Sequence, residues 1–234
     1  MIERQQGLAR VNSLHLAISD PHFLHLRSLF SDLEKASVHA RGKLLDIGCG
    51  NKPYEALFAS HVRQHIGCDV VQSSDRRVDV ICPATDLPFE DASYDTVLIT
   101  QVIEHVADHR ALLAEGSRVL REGGTLILSG PLYWPLHEEP FDFFRFTEHG
   151  LRFLLEGAGF VVVETRRNGG KWALCGQVLI HTIQETRLNR PFLVRAINRL
   201  FARLDDRSTG GTTPMNYVVV ARKPAAAPPK ANSQ

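Results

Sequence analysis

The sequence predicts an α/β fold: a mostly parallel sheet with helices on both faces. Three observations carry this. From Lys43 onward, short apolar runs alternate with helical stretches, the order that threads parallel strands through crossover helices. Runs such as TVLIT and TLILS are continuously apolar rather than alternating, as strands covered on both faces require. The chain of 234 residues is long enough for one domain with decorations and a sizeable core.

Residues 1–42 read as an N-terminal helical cap, because Leu24, Leu26, Leu29, Phe30 and Leu33 recur near helical spacing after an Asp20-Pro21 start signal. Residues 43–165 hold six candidate strands: KLLDIG, QHIGCDV, VDVIC, YDTVLIT, GTLILSG and GFVVVET. Helical candidates lie between them, notably Val102–Leu120, and Thr147-Glu148 opens another that ends at a glycine cap in EGAGF. Residues 166–213 break the alternation. WALCGQVLIHTI is apolar, and Pro191 then opens a helix with Leu193, Ala196, Ile197, Leu200, Phe201 and Leu204 in one stripe. Arg195, Arg199 and Arg203 line another face, so this segment reads as an inserted basic amphipathic helical lobe. Residues 214–223 supply a last strand, NYVVVARK, and residues 224–234 form a low-complexity tail expected to be disordered.

Composition excludes several classes. A formal net charge of +1 offers no global field for nucleic acid. The four cysteines, Cys49, Cys68, Cys82 and Cys175, form no CxxC pair, which argues against a zinc site and a disulfide framework and suits a reducing cytoplasm. The opening MIERQQGLAR carries charges where a signal peptide needs an apolar run. No stretch approaches the roughly 18 apolar residues of a membrane span. A cytoplasmic location is expected.

Function begins at LLDIGCGNKPY, Leu44 to Tyr54. A strand leaving through Gly48-Cys49-Gly50 is expected to present unpaired N–H groups at its carboxyl edge, with Pro53 in the first turn of a following helix. Ligands of open parallel sheets sit at that edge. A dinucleotide fingerprint needs a third glycine where Pro53 stands, and no GK[ST] loop is present, so pyrophosphate loses its support. Asp46 before the glycines suits an ammonium group. Asp69, ending the second strand, is placed for ribose hydroxyls. Asp86 could accept from an adenine amine while Leu87 covers the ring. Amino group, ribose and adenine in that order describe S-adenosylmethionine (SAM).

The successive stretches LLDIGCG, IGCDV, DLPFEDASYDTVLITQVIEHV and VLREGGTLILSGP resemble the class I SAM-dependent methyltransferases, closest to the type 11 methyltransferase-domain group. The resemblance covers about residues 43 to 165 and the closing strand near Tyr217–Ala221. It implies a Rossmann-like seven-stranded sheet whose last strand is antiparallel. It also implies that Gly48, Cys49 and Gly50 wrap the methionine part, with Asp46 at its amino group. Asp69 would hold the ribose, Asp86 and Leu87 the adenine, and Gln101 would border the sulfonium. The NKPY stretch departs from the pattern, since many members carry another glycine there.

The acceptor pocket is expected under GPLYWPLHEEPFDFFRFTEHGL, which packs aromatic side chains among ionisable ones. His137 is the first choice for a general base, with Asp142 to orient it and Arg145 to grip an acidic acceptor. A stretch similar to QVIEHV holds a divalent metal in some small-RNA 3′-end and quinone-type methyltransferases. Gln101 here replaces one of those carboxylates, so no metal is expected, and Glu104 and His105 are read as bracing the pocket floor. The lobe carries nine basic against three acidic residues between Arg166 and Arg207. Its apolar stripe is expected to pack on the core or a second subunit, while peripheral membrane contact through helix 191–204 is the rival reading. The overall expectation is a SAM-dependent methyltransferase acting on a small-molecule acceptor at a hydroxyl. The alternatives are N- or C-methylation, or a non-catalytic SAM-fold partner subunit.

Overall fold

In a computed structural model, which describes residues 16–186, 190–208 and 211–225, the seven apolar runs become seven strands. They are β1 (Gly42–Ile47), β2 (Val62–Asp69), β3 (Val80–Ile81), β4 (Tyr94–Thr100), β5 (Leu120–Pro131), β6 (Val161–Asn168) and β7 (Asn216–Arg222). They form one sheet in the order β3-β2-β1-β4-β5-β7-β6. β1 pairs parallel with both β2 and β4, and β4 with β5, whereas β7 runs antiparallel between β5 and β6. The chain winds outward from β1 to β3 and then returns to the other side of β1 at β4. That reversal opens a crevice beyond the carboxyl ends of β1 and β4, which is where open sheets of this kind take ligands.

Alternate strand residues point to opposite faces, and the core divides accordingly. Leu45, Ile47, Val97, Ile99, Leu126 and Leu128 face one side, packed with Leu112 of α3 (His109–Val119) and Leu151 and Leu155 of α4 (Glu148–Gly157). Leu44, Leu98, Ile127, Val218 and Val220 face the other, against Leu29 and Leu33 of α1 (Phe23–Ser37). Thr147 caps α4 by accepting the Gly150 N–H at 3.0 Å.

Two local expectations change. The helix predicted over Val102–Leu120 starts as a 3₁₀ turn at Ile103–His105, and α3 begins only where Asp108 caps it by accepting from Ala111. The helix after the glycine turn, α2 (Glu55–Phe58), is four residues long, and Pro53 lies ahead of its cap Tyr54 rather than in its first turn. So short a helix contributes little dipole.

Between β6 and β7 run α5 (Lys171–Gln184) and α6 (Pro191–Asp206). Val194, Ile197 and Ala202 of α6 join Ala173, Ile180 and Met215 around Leu24 of α1. The buried face differs from the predicted stripe. Leu200 is 54% exposed, Ala196 is exposed, and the polar Asn198 is fully buried. The reason is a hydrogen-bonding constraint: Asn198 Nδ2 donates to the carbonyls of Ile18 (2.8 Å) and Asp20 (2.9 Å), which turns its side of the helix inward. Arg195, Arg199 and Arg203 remain on the exposed side. No helix among the described residues is long and apolar enough to cross a membrane. The first fifteen residues of the expected cap, and the expected tail from residue 226, lie outside the described residues.

Candidate active site

The turn after β1 is less bare than its glycines imply. Gly48 and Cys49 both donate their N–H groups to the Cys68 carbonyl, at 2.8 and 3.0 Å, and Gly50 donates to Asp69 Oδ2 at 3.2 Å. The three donors expected to meet a ligand thus have partners on β2. What the turn offers instead is proximity of its backbone surface. Gly48 (φ +72°) and Gly50 (φ +49°) hold left-handed conformations, and a Cβ on Gly48 would meet Val102 Cγ2 at 2.3 Å. Burial, then the Asp46 and Asp69 carboxylates, push the Cys49 thiol up, so it packs as a neutral side chain.

Asp46 sits behind this turn. It is 1% exposed, and its Oδ2 lies 3.1 Å from His65 Nε2, while Oδ1 has no hydrogen-bond partner among the described residues. Lys52 also turns inward, to Asp79 and the His65 carbonyl. Asn51 braces the segment after β2, donating to Ser74 Oγ at 3.1 Å and accepting the Asp75 N–H at 3.2 Å.

Two hollows adjoin at Gly48, Gln101, His105 and Glu138. One, of about 400 Å³, lies beyond β2 and β4, walled by Asp69, Val70, Ala84, Thr85, Val102 and Phe143. A largely apolar slot with a carboxylate acceptor at its wall has the chemistry that a flat base and a ribose diol need. Asp86 is exposed and does not line this hollow, and Leu87 is 4% exposed in the core with its N–H bonded to Glu115. Of the loop after β3 it is Ala84 and Thr85, two positions before Asp86 and Leu87, that line this hollow.

The second hollow, of about 360 Å³, reaches from Gly48–Asn51 to α1. His25, Leu26 and Leu29 of α1 line it, together with Trp134 and His137 from the segment after β5. The Trp134 ring lies 4.6 Å from that of His25 and 4.8 Å from that of His181 on α5, so the helical cap and the lobe both meet this wall. Sequence reasoning missed His25 altogether. Its signal was a polar residue on the apolar face of a helix, set among Leu24, Leu26 and Leu29 and the only polar side chain of α1 to line this hollow.

At the junction stands Gln101, left-handed at φ +54°. Its Nε2 donates to Ser129 Oγ (2.9 Å) and Asn216 Oδ1 (3.2 Å), tying the end of β4 to β5 and β7. Glu104 beside it is 1% exposed, and burial pushes its carboxyl up to about 8. His137 Nδ1 is 3.2 Å from Asp142 Oδ2. Burial and the neighbouring His105 hold the His137 imidazole below its ordinary value, against the pull of Asp142. Burial alone would push the Asp142 carboxyl up, but the Arg145 guanidinium and the His137 N–H hold it at about 2. Arg145 itself departs from expectation. Its nitrogens donate to both Asp142 oxygens and to the carbonyls of Trp134, Pro135 and Phe144, and it lines neither hollow. It clamps the segment rather than gripping an acceptor.

Residues 45–128 match the family model of a methyltransferase domain. A probable S-adenosylmethionine-dependent methyltransferase of Mycolicibacterium smegmatis is 35% identical over 136 residues, covering 52% of this chain and 53% of that one. The 27-O-demethylrifamycin SV methyltransferase of Amycolatopsis mediterranei is 30% identical over 113 residues, 42% of each chain. The chain thus spans about half the length of the curated relatives it matches. Among solved structures, the [4+2]-cyclase SpnF superposes with a TM-score of 0.58 at 20% identity, over 86% of this chain and 82% of that one, a likeness of fold.

Proposed function

Because the chain carries a class I SAM-dependent methyltransferase domain, we propose that it methylates a small-molecule acceptor at a hydroxyl oxygen. The observation that carries this is the junction of the two hollows. A nucleoside slot and a chamber walled by Trp134 and Leu29 share Gly48 and Gln101, and a carboxyl group and two imidazoles, Glu104, His105 and His137, stand beside that point. SAM, when bound, supplies a methyl group on a sulfonium sulfur. The chain's own work is to hold an acceptor oxygen in line with that carbon, which supplies much of the acceleration. The oxygen lone pair forms the new O–C bond, the C–S bond breaks with its electrons to sulfur, and the hydroxyl proton leaves toward the Glu104–His105–His137 cluster. Within it, Asp142 positions His137, and Arg145 positions Asp142.

An amine or carbon acceptor has less need of such a cluster, and the rifamycin relative, named for an oxygen site, supports the same choice. The test is labelled SAM with extracts of the source cell, followed by mass spectrometry. An O-methyl product upholds the reading and an N- or C-methyl product replaces it. Calorimetry showing no uptake of SAM would favour a non-catalytic partner. The free cysteines, Cys175 exposed among them, support a reducing cytoplasmic setting. On α6, Phe192 (75% exposed) and Leu200 (54%) share the outer surface with the three arginines. This pairing favours a secondary peripheral contact with an anionic membrane, which absence of co-sedimentation with anionic liposomes at low salt would exclude.

A further inference from the structure

Three side chains from two separate segments meet beside the acceptor chamber. Glu104 and His105 come from the 3₁₀ turn after β4, and His137 from the segment after β5. One donor atom of each lies within 4.8 Å of the others. Glu104 is 1% exposed, and its Oε2 is buried without a hydrogen-bond partner among the described residues. A buried carboxyl oxygen left in that state is costly, and a cation beside it holds the group ionised and removes the cost.

The two imidazoles are tethered alike. His105 Nδ1 is 2.8 Å from the Phe141 carbonyl, and His137 Nδ1 is 3.1 Å from the Pro135 carbonyl and 3.2 Å from Asp142. An oxygen partner at Nδ1 keeps the proton there and leaves Nε2 with its lone pair, the form in which histidine binds a metal. His105 Nε2 stands 4.0 Å from Glu104 Oε1. Arg145, bonded to both Asp142 oxygens, holds the support behind His137.

We propose that Glu104, His105 and His137 form a site for a first-row divalent cation of the Zn²⁺ type, open toward the acceptor chamber. Two imidazole nitrogens and one carboxylate suit that class better than Mg²⁺ or Ca²⁺, which prefer oxygen ligands. Donors about 2.1 Å from a tetrahedral ion stand about 3.4 Å apart, so the widest pair must close by about 1.4 Å from its 4.8 Å limit and the Glu104–His105 pair by about 0.6 Å from 4.0 Å. The expectation of no metal rested on Gln101, but the third ligand comes instead from a distant segment. The inference builds on the methyl-transfer reading and refines it: the cation's free position holds the acceptor oxygen and favours its ionised form. His137 then serves as a ligand. The acceptor's O–H bond breaks, its electron pair stays on oxygen, and the proton passes to water at the chamber rim by the exposed Leu136.

The full chain, stripped of metal with a chelator, is titrated with Co²⁺ and followed by visible absorption, with SAM uptake measured in parallel by calorimetry. One Co²⁺ per chain with ligand-field bands is expected. His105→Ala and His137→Ala should abolish the bands while cooperative urea unfolding, the check on folding, persists; His105→Gln serves if the alanine variant fails that check. Asp142→Asn leaves all three ligands in place and should weaken Co²⁺ uptake by about 10- to 100-fold. Wild-type protein that takes up SAM without Co²⁺ bands, or bands unchanged in the His105 variants, overturns the proposal. Co²⁺ uptake without SAM uptake would uphold the cation site and overturn the methyl-transfer reading.

Discussion

Lys52 Nζ lies 2.6 Å from Asp79 Oδ2, joining the turn after β1 to the segment that leads into β3. The lysine side chain is 5% exposed, its backbone is left-handed at φ +53°, and the same Asp79 oxygen accepts the Gly67 N–H at 2.7 Å. Burial alone would push the Asp79 carboxyl up, but these two donors hold it below the usual range. The contact makes Lys52 a strut of the sheet edge rather than a cofactor ligand. Lys52→Met should therefore destabilise the fold by about 1–3 kcal/mol in urea denaturation. The same change in an Asp79→Asn background should cost less, because the lost partner is already absent.

Asp69 and Asp86 should part company. Asp69 lines the hollow beyond β2 and β4 and accepts the Gly50 N–H, whereas Asp86 is exposed and outside it. Asp69→Ala is expected to weaken SAM uptake by about 30- to 100-fold, the worth of a charged hydrogen-bond acceptor. Asp86→Ala should leave it within about twofold of wild type, as surface substitutions usually do. Isothermal calorimetry on both variants decides, and a large loss with Asp86→Ala would refute this assignment of the hollow.

Gly48→Ala meets two obstacles at once, a left-handed backbone and a Cβ placed 2.3 Å from Val102 Cγ2. A loss of more than about 1 kcal/mol in thermal denaturation is expected. Adding Val102→Ala should recover only part of it, since the φ of +72° stays unfavourable for alanine. Full recovery would mean that the contact alone, and not the turn, demands glycine.

Acid should unfold the protein partly through His25. Burial, reinforced by His22, His181 and His137, pushes its pKa down from 6.5 to about 3. The unfolded chain binds a proton that the folded one refuses, so stability is full above pH 6.5 and is lost as pH falls toward 3. Between pH 7 and 4 this is on the order of 3 kcal/mol. In His25→Leu that share of the acid loss should vanish, which denaturant midpoints at the two pH values would measure.

Much of this architecture is legible along the chain. Short apolar runs mark the strands, continuous in β4 and β5, Thr147 marks the start of α4, and the strand-end position of Asp69 puts it on the wall of one hollow. Asn198 and His25 were less legible. Each is polar within an apolar stretch, and its meaning depends on a partner from elsewhere: the Ile18 and Asp20 carbonyls for one, Trp134 for the other.

The sequence by itself determined the α/β order, the place of the glycine turn and the loops that could reach it, because residue periodicity and chain geometry are local properties. Only the tertiary structure decided that the Cys68 carbonyl takes the Gly48 and Cys49 N–H groups, that Asp46 faces His65, and that Arg145 is committed to its own segment. It also decided that His137 meets Glu104 and His105. Hydrogen bonds and desolvation act between groups brought together by folding, and no spacing along the chain states which groups those are.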